Sequence, residues 1–133
     1  MTETLKCISP IDGSVYLERP AMPLEDAETA VAKARAAQPA WAARPLAERV
    51  ALVRAAVAEV GKHTGRMATE LAHQMGRPVR YGGEFGGFDE RASYMADIAE
   101  EALAPVVVED SDAFTRQIKR LPHGVVSVSY THL

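Results

Sequence analysis

The sequence predicts an α+β chain that opens with a β-hairpin, continues through four helices and closes in short strands. Three observations carry that expectation. A Pro-Ile-Asp-Gly turn lies between β-forming residues near the start. Apolar residues then recur at helical spacing through the middle of the chain. Valine clusters separated by turn residues occupy the end.

The hairpin is expected from Ile8 to Arg19. Pro10 pre-sets φ, Asp12-Gly13 supplies a positive-φ position, and Ile8, Val15, Tyr16 and Leu17 are β-formers on the flanks. Pro20 and Pro23 close the second strand and open a helix from about Leu24 to Gln38. In that helix Glu25, Asp26 and Glu28 face the positive end of the dipole, and Leu24, Ala27, Val31, Ala34 and Trp41 trace one apolar face. Pro39 is expected to terminate it.

A second helix starts at Pro45, carries the stripe Leu46, Val50, Val53, Val57 and Val60, and ends at Gly61. A third, Thr64 to Met75, uses Thr64 as its N-cap and stops at Gly76 before Pro78. The fourth runs from about Glu84 to Leu103 and stops at Pro105. Gly82, Gly83, Gly86 and Gly87 each weaken it by about 1 kcal/mol relative to Ala, so it firms up only after Gly87. Val106-Val107-Val108 reads as a strand, Glu109 to Asp112 as an acidic loop, and Phe114 to Leu121 as a loosely alternating strand. Pro122-His123-Gly124 makes a turn before another strand at Val125-Val126.

With 133 residues, this is one domain's worth of chain or less. Hydrophobic residues make up 47% of it, but alanine supplies much of that share, and alanine adds little buried area. The helices should therefore suit covering a larger body better than forming a thick core. Net charge is −3 with basic and acidic residues interspersed, which argues against nucleic acid or an anionic membrane as a partner. The start shows no signal-peptide pattern, no apolar run is long enough to span a membrane, and a single cysteine permits no internal disulfide. A cytoplasmic location is expected.

Taken in order, these segments resemble the aldehyde dehydrogenase family. Ser9-Pro10-Ile11-Asp12-Gly13-Ser14-Val15 is similar to its opening hairpin, and Glu25 to Trp41 to its first alanine-rich helix. Pro45-Leu46-Ala47-Glu48-Arg49 and Met75-Gly76-Arg77-Pro78 match two further family segments. Leu121-Pro122-His123-Gly124-Val125-Val126 is similar to the stretch that leads into the coenzyme-binding sheet. The resemblance implies an α+β fragment of an α/β enzyme, its last strands leading into a Rossmann-like sheet that this chain does not contain. Residues 1–126 form the family-like part. The tail 127–133, Ser127 to Leu133, departs from the family, which continues there with a strand and a Pro-Trp-Asn turn; it reads as a truncated or chimeric end.

The resemblance also implies the chemistry of the parent enzyme. A cysteine thiolate attacks the aldehyde and an asparagine stabilises the oxyanion. Hydride passes to NAD or NADP, and a glutamate activates the hydrolytic water. None of those residues has a counterpart here, so no catalytic, cofactor-binding or metal residue is assigned. The fragment alone is expected to be inactive and to bind no cofactor. Its expected partners are the remainder of its own enzyme and, in the parent, further copies in a homo-oligomer; the aldehyde is a substrate of the full-length enzyme only.

Several residues invite a functional reading that their context does not support. Cys7 precedes the hairpin with no base at hand and no helix N-terminus to activate it. Gly82-Gly83-Glu84-Phe85-Gly86-Gly87 follows no predicted strand and lacks the lysine of a phosphate loop. His63, His73, His123 and His132 show no metal-ligand spacing. Glu100-Glu101 and Asp110 with Asp112 fall on a helix end and a polar loop, as solvated carboxylates do. Two other readings stand beside the fragment: a free-standing helical interaction module, and a non-catalytic regulator that kept the family's N-terminal cover. A natural reading frame continuing past Val126 into a Pro-Trp-Asn turn separates the enzyme from both.

Overall fold

The structure is a computed structural model, and it describes residues 3–128. Position His132 and the end of the tail lie outside the described residues.

Strands β1 (Thr4–Ile8) and β2 (Val15–Pro20) pair antiparallel, with Thr4 opposite Pro20 and Cys7 opposite Leu17. A register shift after Cys7 then sets Ile8 opposite Val15. The turn is the one the sequence implies. Gly13 takes φ 74°, its N–H donates to the Ser9 carbonyl at 2.9 Å, and the Ser9 N–H donates to the Ser14 carbonyl at 2.8 Å. Asp12 Oδ1 accepts from both the Ser14 N–H at 3.0 Å and the Ser14 hydroxyl at 2.7 Å, an Asx-type closure. The first strand begins four residues earlier than expected, at Thr4 rather than Ile8. A cross-strand Lys6–Glu18 ion pair at 2.9 Å supports the added rungs, and a bond from the Ala21 N–H to the Glu3 carbonyl at 2.7 Å continues them.

Helix α1 spans Leu24–Ala43 and runs straight through Pro39. A proline in a helix leaves the carbonyl four residues back, here Arg35, without its donor. Residues around Arg35 and Pro39 are solvent-exposed, so water can take that carbonyl and the interruption is tolerated. The true stop is Pro45. It drives its predecessor out of the helical region, and Arg44 accordingly sits at φ −65°, ψ 141°. Nothing in α1 is buried.

Helix α2 (Leu46–Gly61) follows at once, with Pro45 as its N-cap rather than its first residue. Helix α3 (Thr64–Met75) is capped by His63, not Thr64. The Thr64 hydroxyl instead donates back to the Gly61 carbonyl at 2.6 Å, tying α3 to the end of α2. Gly76 ends α3 at φ 76°, its N–H donating to the Ala72 carbonyl at 3.0 Å. A short 3₁₀ turn, Val79–Tyr81, leads to α4 (Phe85–Asp97), and α5 (Ala99–Leu103) follows after a break at Ile98. The expected fourth helix is thus two helices. The first of them starts at Phe85, close to the expected Glu84, but Gly86 and Gly87 are helical from its first turn, so it does not wait until after Gly87 to firm up. Phe85 explains why. Its ring lies where a Cβ on Gly61 would come within 2.8 Å, so the absence of a side chain on α2 admits the ring that anchors α4. An ion pair from Arg54 to Asp97 at 2.6 Å bridges the same two helices.

The core is thin. Among the described residues, Val57, Ala68 and Ala72 are the buried hydrophobic side chains and Ser9 the buried polar one. It sits where α2 faces α4 and where α3 meets the first hairpin. Strands β3 (Val106–Asp110) and β4 (Thr115–Ile118) form a second antiparallel hairpin, exposed along its whole length. Glu109 and Asp110, expected in the loop, belong to the strand, where Glu109 pairs with Arg116. Val125-Val126, expected to start a strand, has no strand neighbour and remains irregular, although Gly124 does turn at φ 94°.

Candidate functional site

The structure scatters the residues that the sequence singles out. Cys7 lies on β1, partly buried, with Sγ 4.0 Å from the Gln74 carbonyl, a weak donor contact at most. His73 lies next to Gln74 on α3. That ring is stacked flat on Tyr16, centroids 4.6 Å apart and planes within 2°. Partial burial and then the neighbouring Glu70 carboxylate push the Tyr16 phenol above its ordinary value, so it stays a neutral stacking partner at neutral pH. Together these residues seat the hairpin on α3.

The glycine-rich stretch behaves as a helix entry. It follows the 3₁₀ turn rather than a strand, and Glu84 occupies the N-cap of α4 in an ion pair with Arg77. The Glu84 side chain makes no capping hydrogen bond and turns to Arg77 instead. His63 stands at the N-cap position of α3 without a side-chain capping bond, and His123 lies exposed in an irregular segment. Among the described residues no group of three or more His, Cys, Asp or Glu could hold a metal ion. Glu100 and Glu101 are exposed in the first turn of α5. Asp110 accepts from the Thr115 hydroxyl at 2.7 Å, a strand-end contact within the second hairpin.

Sequence reasoning does not foresee the clefts between α2 and α4, two of which share Val53 in their lining. One, of about 440 Å³, is bounded by Val53, Val57, Phe85, Asp89 and Ser93. The other, of about 260 Å³, is an apolar groove formed by Trp41, Leu46, Val50, Val53 and Met95, with Arg49 at its side. The Nε of Arg49 is buried there without a hydrogen-bond partner. The valine stripe of α2 and the Met95 face of α4 were the only available signals of either cleft. The smaller groove is apolar; the larger cleft is mixed, with the Ser93 hydroxyl donating to Asp89 Oδ1 at 3.2 Å, a contact one turn apart within α4.

The sequence profile of the aldehyde dehydrogenase family matches residues 1–129. N-succinylglutamate 5-semialdehyde dehydrogenase of Novosphingobium aromaticivorans is 32% identical over 104 residues, covering 77% of this chain and 22% of that protein. Among solved structures, PnpE from Pseudomonas sp. WBC-3 superposes with a TM-score of 0.72 at 26% identity, over 89% of this chain and 24% of that one. Indole-3-acetaldehyde dehydrogenase in its apo form superposes with a TM-score of 0.76 over 90% of this chain and 28% of its own length; at 24% identity it speaks to the fold alone. PnpE has also been solved with nicotinamide adenine dinucleotide bound. The chain spans about a quarter of the length of these relatives. The hairpin, the helical layer and the second hairpin all lie within the shared span, and the profile covers nearly every residue, so the chain belongs to the aldehyde dehydrogenase family.

Proposed function

We propose that this chain is the N-terminal part of an NAD(P)-dependent enzyme that oxidises an aldehyde to a carboxylic acid, and that by itself it is catalytically silent. The observation that carries this reading is the pairing of a family match over residues 1–129 with coverage of only 22% of the curated relative. The exposed apolar surface supports it. Leu24, Val108 and Leu121 are 76%, 65% and 79% exposed, as expected of faces that the rest of a larger enzyme would cover. In this reading residues 1–126 are the family part and 127–133 a divergent tail. The parent is a cytoplasmic homo-oligomer, and the chain's own partner is the remainder of that enzyme.

No residue of this chain takes the role of nucleophile, oxyanion donor or hydrolytic base, so no reaction step is assigned to it. Its role is structural: α2 and α4 form a layer whose apolar grooves receive other parts of the enzyme. Two measurements test this. Titration calorimetry of the purified chain with NAD and with NADP should give no binding, and no aldehyde should support cofactor reduction. A dissociation constant in the micromolar range, about −8 kcal/mol, would overturn the reading. Sequencing the native locus through codon 126 tests the boundary. Continuation into a Pro-Trp-Asn turn supports the enzyme, and a stop after Leu133 supports a free-standing interaction module or a non-catalytic regulator.

A further inference from the structure

We draw no further inference here: the strongest candidate, the apolar groove between α2 and α4 that Trp41, Leu46, Val50 and Met95 form beside the unpartnered Arg49 Nε, carries nothing because nothing in the structure shows what covers it, and the Arg49 Nε is already enclosed by the chain's own atoms.

Discussion

The molecule holds two hairpins of similar length and opposite circumstance. The first, β1–β2, is seated on α3: Tyr16 stacks on His73, Pro10 lies against Gly76, and Ser9 is fully buried. The second, β3–β4, is exposed at every residue even though it carries Val106, Val107, Val108 and Ile118. Pairing alone therefore says little about stability in this chain. Two strands in water are marginal, and what fixes a hairpin is the surface its side chains rest on. The first hairpin finds that surface within the chain. The second presents as much apolar area to solvent, together with strand edges free to pair.

The comparison is broken most directly at Gly76. A side chain there meets a left-handed backbone at φ 76° and would stand 3.2 Å from Pro10 Cγ. Gly76→Val should cost about 2 kcal/mol, since the left-handed region alone costs roughly 1–2 kcal/mol for an L-residue. Chemical denaturation would report the loss, and hydrogen exchange should show β1–β2 amides losing protection while α2 and α4 keep theirs. Equal loss in all of them would mean that the hairpin is not separately seated.

A double-mutant cycle of Tyr16→Ala and His73→Ala sharpens the same point. Stacked rings typically couple by about 0.5–1.5 kcal/mol, and additive single effects would show the stack to be incidental. On the other hairpin, Val107→Thr should change unfolding stability by less than about 0.5 kcal/mol, as at most exposed sites. It acts on association instead. The wild-type chain should form dimers or larger species at micromolar concentration and bind dyes that report apolar surface, and Val107→Thr should weaken both. A compact monomer by sedimentation, with a sharp melt and no dye binding, would show that the exposed strands need no cover. Cys7→Ser should also stay within about 0.5 kcal/mol, because its Sγ touches only a carbonyl at 4.0 Å.

The smallest effect concerns acid. The Ser14 N–H, and then the Ser14 hydroxyl, hold the Asp12 carboxyl below its ordinary value. A depressed carboxylate value stabilises the folded turn above the unfolded pKa of about 3.9, and that contribution is lost as pH falls through the lower folded value. Amides of the first turn should therefore gain exchange near and below that range, and Asp12→Asn should remove the pH dependence. An unchanged profile in Asp12→Asn would assign the acid response to another group.

What the sequence makes legible follows the range of the forces involved. The Asp12-Gly13 turn and the Gly76 stop depend on bonds within a few residues, and both stand where the composition puts them. Pro39 does not end α1, whose residues are all unburied, so the Arg35 carbonyl it frees is open to water. The helical first turn of α4, through Gly86 and Gly87, is anchored by Phe85 meeting Gly61, residues far apart in the chain, and no local pattern reports such a meeting. Val125-Val126 has strand composition but no neighbour, and a strand is a property of two segments. The same holds for the candidate site. The helix entry at Gly82–Gly87 and the surface carboxylates could be read locally, whereas Cys7, expected ahead of the hairpin, lies within β1 opposite Leu17. The clefts between α2 and α4 could not, since they exist only once the helices meet.

The contact between Phe85 and Gly61 also constrains how this chain can drift. A methyl on residue 61 would sit 2.8 Å from the tip of the ring, and an alanine there, though the better helix former, arrives at a collision. A side chain at position 61 requires the far end of the Phe85 ring to shift, and a smaller residue at position 85 would remove the clash. Position 85 is free to shrink first, leaving a cavity that a later methyl fills. The order of substitutions is thus biased toward the ring yielding first, and homologues should carry the two positions as a matched pair of sizes.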